Sequence, residues 1–253
     1  MQKILIVCGP TATGKTSLAL RIAKKIGGEL ISADSRQIYE GLDALTGKDR
    51  SPDIQIHLYD VIPPDQEFSV AHFVRLAQTA INEIHNRARL PIVVGGTGFY
   101  LRGLTMSIDT VSVPPDSELR KKLSAASVDE LQQEVQRVDL WRWRRLNESD
   151  RKNPRRLIRA IEVAVSAKHM PPKAPHYDAL WIGLTLPQTL LRERIAKRVA
   201  ERFDRSVTEV REGLPPILGT DPLLSFTRGQ STKDEAIKEW VQKEYQYAKR
   251  QLT

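Results

Sequence analysis

The sequence contains no long hydrophobic run and almost no cysteine, and each absence excludes a class of protein. No apolar stretch approaches the roughly 18 residues of a membrane-spanning helix, and the apolar run at residues 4–8 is too short for the core of a signal peptide. The one cysteine, Cys8, has no partner for an internal disulfide, and the five histidines are scattered without zinc-site spacing. We therefore expect a protein without a membrane anchor in a reducing compartment, the cytoplasm.

Net charge is missing from the first half of the chain and concentrated in the second. The 253 residues carry 39 Lys and Arg against 31 Asp and Glu, a formal charge of +8. Residues 1–117 hold 12 of each sign, so residues 118–253 account for the whole excess. Nine basic side chains, three acidic ones, Trp141 and Trp143 lie within residues 137–159. This composition fits a surface that faces a polyanion, and it fits a solvated helix face equally well.

Short apolar runs alternate with amphipathic stretches along most of the chain. Strands are predicted at residues 4–7, 29–32, 58–61, 92–94 and 181–186. Helices are predicted at residues 15–26, 69–86, 190–202 and 233–251. Strands that alternate with helices indicate an α/β fold whose parallel sheet is covered on both faces.

Residues 9–16 read GPTATGKT and match the phosphate-binding loop pattern G-x-x-x-x-G-K-[ST]. The match lies between a predicted strand and a predicted helix. This context favours a phosphate-binding loop over a simple glycine-rich turn with a surface lysine. Backbone amides and the helix N-terminus would hold phosphate oxygens, Lys15 adds a charge, and the Thr16 hydroxyl can bind Mg²⁺. We predict that a diphosphate or triphosphate binds at Gly9, Thr11, Ala12, Thr13, Gly14, Lys15 and Thr16.

One segment shows helical patterns without strands. Helices are predicted at residues 118–124, 128–138 and 154–167, and prolines at positions 114, 115, 171, 172 and 175 bracket the segment. We predict a P-loop NTPase-like catalytic core from residues 1–113 and 176–253. A smaller all-helical insertion is predicted at residues 114–175.

An acidic residue follows the second predicted strand. Asp34, in the segment SADSRQIY of residues 32–39, would stand at the carboxyl end of a strand that adjoins the P-loop strand, where open α/β sheets bind ligands. A carboxylate there either holds Mg²⁺ through water or takes a proton from a nucleophile. Asp34 as a cap of the following turn is the alternative, and Asp60 is the competing carboxylate on the metal side.

The third strand end and two arginine-rich helices supply further candidates. Thr97 follows a glycine pair, so its hydroxyl would point into the same crevice as the P-loop, although a tight turn explains the glycines as well. Asn153 and Pro154 predict a helix start with an apolar stripe of Leu157, Ile161 and Val165. A second helix carries Arg194, Arg198 and Arg202 beside Leu191, Ile195 and Val199. One buried arginine bound to phosphate would outweigh the rest of its row, and the sequence leaves open which one.

The ordered set of these motifs resembles the tRNA dimethylallyltransferase family. The resemblance rests on the P-loop, residues 33–39 with Gly41 and Asp43, residues 95–97, the helix of residues 153–163 and the segment YAKRQ at residues 247–251. It covers nearly the whole chain. It implies transfer of a dimethylallyl group from dimethylallyl diphosphate to N6 of adenosine 37 in tRNA, with Mg²⁺ as cofactor and with the P-loop holding the departing diphosphate.

The resemblance also implies roles for particular residues. Asp34 would accept a proton from the adenine amine, while Thr97 and Arg198 would complete the catalytic set. Contacts to the tRNA anticodon stem-loop are implied for Asp34, Ser35, Arg36, Gln37, Arg155, Arg156, Leu157, Ile158 and Arg159. The expected protein is a monomer without membrane contact.

Three other functions are compatible with parts of the sequence. A P-loop kinase for a nucleoside or other small metabolite would use Asp34 as the base toward a hydroxyl. An RNA-binding module controlled by a nucleotide would leave Asp34 and Thr97 without a chemical task. A transferase that prenylates free adenine nucleotides would not need so extended a basic half.

Overall fold

The computed structural model describes residues 1–106, 108, 113–166 and 177–252. Its backbone divides into two compact units, one from Met1–Met106 and Pro175–Thr253 and the other from Ser107–Ala174. The domain boundaries inferred from the sequence stay a prediction. The second boundary, at residues 175 and 176, lies outside the described residues, as do Pro171, Pro172 and Pro175.

The larger unit contains a five-stranded parallel sheet in the order β3-β2-β4-β1-β5. The strands are β1 (Gln2–Cys8), β2 (Gly28–Ser32), β3 (Ile56–His57), β4 (Leu90–Gly95) and β5 (Tyr177–Gly183). Its helices are α1 (Lys15–Ile26), α2 (Asp43–Thr46), α3 (Val70–Asn86), α4 (Gly98–Thr105), α10 (Gln188–Glu209), α11 (Thr220–Thr227) and α12 (Lys233–Arg250). The predicted α/β class with a P-loop-type parallel sheet is confirmed.

The central strands are the most buried part of this unit. β1 and β4 pair in register, with Ile6 opposite Val93, and both side chains are fully buried. Burial on both faces explains why these strands read as continuous apolar runs. Edge strand β5, in contrast, exposes Leu180 and Trp181. A second core lies between α10, α11 and α12, where Phe203 and Trp240 are buried.

Several predicted boundaries are wrong in this unit. The strand expected at residues 58–61 ends earlier, at His57, because Leu58 (φ 65°) and Asp60 (φ 53°) adopt left-handed backbone conformations that no strand allows. β5 begins before the apolar run at residues 181–186 and ends at Gly183. The strand β2 does not adjoin β1, because β4 lies between them. The β2 loop that carries Asp34 nevertheless opens on the same edge, since the strands are parallel.

The smaller unit consists of helices in its described part. These are α5 (Ser117–Leu123), α6 (Val128–Val138), α7 (Leu140–Arg145), α8 (Glu148–Arg151) and α9 (Pro154–Val165). The α6 prediction is confirmed at both ends. α9 starts as predicted, because the Asn153 side chain accepts a hydrogen bond from the Arg156 N–H and Pro154 takes the first position. Residue 167, the expected helix end, lies outside the described residues.

The sequence pattern missed some of this unit. α7 and α8 are too short to show helical periodicity. Leu157 and Ile161 pack in the core with Leu131 and Val135, whereas Val165, expected on the same stripe, is half exposed. The buried Glu162 accepts hydrogen bonds from Arg120 and Arg159 and fixes α5 on α9.

No helix among the described residues is both long enough and apolar enough to cross a membrane.

A buried carboxylate at the start of β2 provides a test of the fold. Glu29 accepts hydrogen bonds from Arg87 (2.7 Å) and Arg89 (3.2 Å) and lies 2.7 Å from His57. The Arg87 hydrogen bonds lower the pKa of Glu29 to about 2. A carboxylate with a lowered pKa stabilises the fold above its ordinary pKa of 4.5, and this stabilisation is lost as the pH falls toward 2.

We expect Glu29→Gln to reduce the free energy of unfolding at pH 7 by about 2 kcal/mol, less than a fully buried pair gives, because both arginines are partly exposed. Urea denaturation at pH 7 and at pH 3 measures the difference between the two proteins, which should be smaller at pH 3. Asp53→Asn, which breaks an exposed pair with Lys24, is the control and should cost less than about 1 kcal/mol. A difference that does not depend on pH would contradict the role of the charge.

Candidate active site

The P-loop folds as a tight turn between β1 and α1. Gly9 adopts φ 138°, and a Cβ there would lie 2.2 Å from the Leu184 carbonyl oxygen, so only glycine fits. Ala12 (φ 61°) and Gly14 (φ 88°) take left-handed conformations that bend the chain around the start of α1. The Lys15 Nζ donates a hydrogen bond of 2.6 Å to the Pro10 carbonyl. This arrangement of amides, helix N-terminus and lysine is suited to bind phosphate oxygens.

A cavity of about 850 Å³ opens on the P-loop. Eight basic and three acidic side chains contribute to its wall, so it favours an anion. It is lined by Ala12, Gly14, Lys15, Thr16, Ser17, Asp43, Ala44, Gly47, Lys48, Asp49, Arg50, Arg194, Lys197, Arg198, Glu201, Arg202 and Arg205. Large apolar side chains are absent from this described lining, which suits the polar part of a ligand.

A second, smaller cavity of about 40 Å³ connects the P-loop with Asp34. Lys15, Thr16, Arg198 and Asp34 all line it, so the structure brings together four of the residues that the sequence singled out. Burial lowers the pKa of Lys15 to about 8, the nearby Asp34 carboxylate opposes this shift, and Arg198 adds to it. The Lys15 ammonium group and the Asp34 carboxylate therefore line the same small cavity. The lysine can bind a phosphate there, and the carboxylate can accept a proton beside it.

The two carboxylate oxygens of Asp34 have different surroundings. Oδ1 accepts a hydrogen bond of 3.0 Å from the Arg36 N–H and lies 3.8 Å from Arg36 Nε. Oδ2 accepts no hydrogen bond from any described residue. Asp34 is therefore the turn cap that the alternative interpretation expected, and it still leaves one oxygen free for chemistry.

Thr97 contacts the loop that carries Asp34. Its hydroxyl accepts a hydrogen bond of 3.1 Å from the Ser35 N–H and donates a longer one of 3.5 Å to the Ser35 hydroxyl. The structure thus places this hydroxyl against the Asp34 loop, and not on the wall of either cavity as far as the described residues show. Thr97 is positioned to fix the loop beside Asp34.

The structure separates the roles of the arginines on α10. Arg202 is the buried one: Nη2 donates a 2.7 Å hydrogen bond to Glu244, and the guanidinium lies 4.6 Å from the Trp240 ring. Arg198 is partly exposed and lines both cavities. Its Nη2 donates to the Gly47 carbonyl at 2.7 Å, and its Nη1 lies 3.5 Å from the Thr11 hydroxyl. Arg202 also lines both cavities but is engaged by Glu244, so Arg198, which contacts the P-loop residue Thr11, is the better placed of the two to bind an anion there.

The remaining residues of the Asp34 loop are held by the protein itself. The Arg36 side chain is mostly buried, stacks at 4.0 Å over the Tyr247 ring and lies 3.8 Å from Glu244. Gln37 accepts a hydrogen bond from the Ser32 hydroxyl and donates one to the Gly47 carbonyl. These contacts leave little of either side chain for RNA.

Sequence reasoning named no site residue on α12, yet one face of this helix reaches the site. Glu244, Tyr247 and Gln251 are spaced i, i+3, i+7 and contact Arg202, Arg36 and the P-loop residue Thr11, respectively. Arg202 and Arg36 outweigh the effect of burial and hold the pKa of Glu244 below its ordinary value. The helical spacing of these three residues can be read from the sequence, but the sequence does not show which part of the protein they contact.

Asp60 does not have the role of a metal-side carboxylate in this structure. Its Oδ1 accepts a 2.6 Å hydrogen bond from the buried Lys48, and its Oδ2 accepts one of 2.6 Å from Arg50. Lys48 also binds Asp43 and the Tyr39 carbonyl. This network stabilises the segment between β2 and β3 and was not anticipated from the sequence.

The candidate RNA-binding residues of the smaller unit differ in accessibility. Arg155 is exposed and has no partner among the described residues, while Arg156 is exposed but paired with Asp150. Arg159 bonds to Glu162 and the Val113 carbonyl. Ile158 is half-buried, and the Leu157 side chain is fully buried and unavailable to a ligand.

An exposed aromatic side chain accompanies these arginines on the smaller unit. Trp141, on α7, is 62% exposed and carries the Arg145 guanidinium 4.3 Å from its ring centre. Trp143 is less exposed and lies under Arg151 at 4.4 Å. An exposed tryptophan stacked on arginine is typical of surfaces that bind nucleic acid.

Known proteins are similar to this chain over its whole length. The family model described as IPP transferase matches residues 37–253, and one described as isopentenyl transferase matches residues 2–57. The tRNA dimethylallyltransferase of Leuconostoc mesenteroides is 37% identical over 268 residues, which cover 100% of this chain and 89% of that protein. That of Thermomicrobium roseum is 37% identical over 275 residues, covering 100% and 83%.

Solved structures show the same similarity. The full-length tRNA isopentenylpyrophosphate transferase from Bacillus halodurans superimposes with a TM-score of 0.69 at 31% identity, covering 100% of this chain and 86% of the other. A eukaryotic dimethylallyltransferase acting on tRNA shares the fold, with a TM-score of 0.85 at 23% identity and coverage of 100% and 69%.

The Arg202–Glu244 pair yields a prediction about stability. Arg202→Met leaves the Glu244 carboxylate buried next to Arg36 alone, and we expect it to reduce the free energy of unfolding by about 3 kcal/mol. Adding Glu244→Gln removes the orphaned charge and should recover at least half of that loss. Urea denaturation of the two variants and the parent measures this, and a double variant less stable than Arg202→Met would refute it.

Proposed function

The chain belongs to the IPP transferase family, and from this premise we propose that it transfers a dimethylallyl group from dimethylallyl diphosphate to N6 of adenosine 37 in tRNA. The observation that carries the proposal is the shared cavity in which Asp34 faces Lys15, Thr16 and Arg198. Such a transfer needs cationic groups that bind the anionic leaving group and a base that accepts a proton from the amine, and this cavity contains both. Asp34 and the P-loop come from one chain, so these parts of the site need no second copy, and the monomer stays a prediction.

The diphosphate of the donor lies on the P-loop. The amides of residues 12–16 and the N-terminus of α1 hold its oxygens, while the Thr11 amide is bound by Gln251. Lys15 and Arg198 neutralise the charge that grows as the allylic C–O bond breaks. The surplus of cations in the larger cavity attracts the donor to this place. Gly9 supports the same loop by permitting its close approach to Leu184.

Asp34 accepts the proton of the adenine amine. As the bond from N6 to the allylic carbon forms and the C–O bond breaks, N6 becomes cationic and loses a proton to the free Oδ2 of Asp34. The diphosphate leaves with the electron pair of the broken bond. The hydrogen bond from the Arg36 N–H fixes Oδ1, so that Oδ2 points to one place, and Thr97 holds the adjacent Ser35.

The residues present fit one Mg²⁺ ion bound mainly through the diphosphate. No cluster of three His, Cys, Asp or Glu side chains occurs within the described ranges, but Mg²⁺ keeps several waters and needs few protein ligands when phosphate is bound. The Thr16 hydroxyl lines both cavities and makes no hydrogen bond in the described part of the chain. Thr16 would hold the ion, whose charge stabilises the leaving group.

The tRNA anticodon stem-loop binds the smaller unit through Arg155, Arg156 and Trp141. Arg155 is free to reach a phosphate, and Trp141 offers a stacking surface. The target adenine must leave the stack of its loop to reach Asp34. Of the other candidates, Leu157 and Arg159 support the helix rather than the RNA, and Arg36 and Gln37 shape the Asp34 loop. A cytoplasmic location, where tRNA is available, stays a prediction.

The family assignment favours this function over a P-loop kinase. A kinase would also use the P-loop and Asp34 as the base, so the two functions differ in the donor substrate, which is ATP for the kinase and dimethylallyl diphosphate for the transferase. A regulated RNA-binding module would not need the free oxygen of Asp34, and a transferase for free adenine nucleotides would not need Trp141 and Arg155 on the smaller unit.

Isotope-labelled dimethylallyl diphosphate with Mg²⁺ should modify an anticodon stem-loop that carries adenosine 37 and should leave a stem-loop with guanosine 37 unmodified. AMP as acceptor and γ-labelled ATP as donor are the controls, and both should give no product. Transfer to AMP as efficient as to RNA would favour the nucleotide transferase. Phosphorylation of a small acceptor by ATP would favour the kinase.

Asp34→Asn should lower kcat about 10²- to 10⁴-fold because it removes the proton acceptor, and it retains an oxygen for the Arg36 N–H. Stem-loop affinity should change less than about threefold, since Asp34 acts mainly in the transition state. Single-turnover kinetics and a binding titration measure the two effects. Asp53→Asn, on the surface, is the matched control, and equal losses of rate and affinity would make Asp34 a binding residue.

A further inference from the structure

One side chain at the C-cap of α12, that of Gln251, connects two loops at the edge of the sheet where the P-loop lies. The Gln251 Oε1 accepts a 2.8 Å hydrogen bond from the Thr11 N–H of the P-loop. Its Nε2 donates a 3.0 Å hydrogen bond to the carbonyl of Gly96, in the loop after β4. Since β1 and β4 are neighbours, the carboxamide joins the ends of two adjacent strands.

The Gln251 carboxamide occupies the space that a side chain at Gly96 would fill. A Cβ at Gly96 would lie 2.1 Å from Gln251 Nε2, a distance that real Cβ atoms do not show, and 3.0 Å from the Gly9 carbonyl oxygen. Glycine is therefore required here by the glutamine and not by backbone conformation. An alanine would have to displace the amide.

Only a carboxamide satisfies both loops. A glutamate would lose the donor for the Gly96 carbonyl and would place a negative charge beside the phosphate site. An alanine would leave both the Thr11 N–H and the Gly96 carbonyl without their partner. The helix that carries Gln251 is fixed independently, because Glu244 binds Arg202 and Tyr247 stacks on Arg36.

The connection extends to the loop of Asp34. Gly95 packs directly on the Ala33 carbonyl oxygen, which a Cβ would approach to 2.2 Å, and the Thr97 N–H donates to the same carbonyl at 3.2 Å. A movement of the Gly95–Gly96 backbone therefore changes the distance between the P-loop and Asp34. The Gln251 bridge sets that distance from the P-loop side.

We propose that Gln251 is a positioning residue that holds the P-loop and the Gly96 loop in the geometry that binds the diphosphate. It acts through the Thr11 amide and the Gly96 carbonyl, at the wall of the smaller cavity. The identity of the diphosphate as part of the donor rests on the proposed function, whereas the positioning role concerns any diphosphate on this loop.

Binding of inorganic pyrophosphate with Mg²⁺, measured by calorimetry, tests the inference without requiring prenyl transfer. Gln251→Ala should weaken binding about tenfold, the loss expected for hydrogen bonds to the anion site, and Gln251→Glu should weaken it more because of its charge. Stem-loop affinity should be unchanged, and the loss of two hydrogen bonds should lower the melting temperature by only about 2 to 6 °C. Leu252→Ala, which truncates an exposed neighbour on the same turn, is the control and should bind like the parent.

Gly96→Ala provides an independent perturbation. The added methyl group should expel the amide and reproduce the loss seen in Gln251→Ala. The double variant Gly96→Ala with Gln251→Ala has no amide to expel, so the two losses of pyrophosphate affinity should not multiply. It should bind pyrophosphate no more weakly than Gly96→Ala alone does. A merely structural glutamine would lower the melting temperature without this pattern.

The outcomes separate the two proposals. If Gln251→Ala binds pyrophosphate as tightly as the parent protein does, the positioning role is overturned and the proposed transfer is unaffected. Losses that multiply in the double variant would also overturn it. A parent protein that binds no pyrophosphate would overturn the proposed function and this inference together.

Discussion

The close approach of three backbone loops at the carboxyl edge of the sheet is the constraint on which the site depends. β4 lies between β1 and β2, so the loop after β4 has to fit between the P-loop and the Asp34 loop. Gly95 lies against the Ala33 backbone at a distance that excludes any side chain, and a side chain at Gly96 would have to displace Gln251. The glycine pair thus constrains how near the P-loop is to the Asp34 carboxylate.

Cations crowd this edge, and buried carboxylates compensate part of their charge. Lys15, Arg36, Arg198 and Arg202 surround the two cavities, and Glu244 and Asp34 are the acidic groups nearest to them. The Glu244 carboxylate, held between Arg202 and Arg36, allows two guanidinium groups to be buried near a phosphate site without open repulsion. Arg198, which has only partial pairing, remains the arginine available to an anion.

The smaller unit contributes a different kind of surface. Its core is a short helical cluster around Leu131, Val135 and Leu157, and Glu162 ties two of its helices together. Its charges are therefore divided between those that build the unit, such as Arg159, and those that face outward, such as Arg155. An exposed tryptophan beside outward arginines combines stacking with phosphate binding, which suits an RNA loop better than a small ligand.

The sequence by itself determined what depends on neighbours along the chain. The P-loop, α1, α6 and the start of α9 could be predicted because glycine turns, capping side chains and helical periodicity act over a few residues. Asp34 and Lys15 could be named for the same reason, since each follows a strand in a recognisable pattern. Which strands adjoin, which arginine is buried and what α12 faces were decided by the tertiary structure. The contact between Gln251 and Thr11 joins residues 240 positions apart, and the engagement of Asp60 by Lys48 depends on a left-handed turn. Such contacts follow from how whole elements pack, which no local pattern encodes.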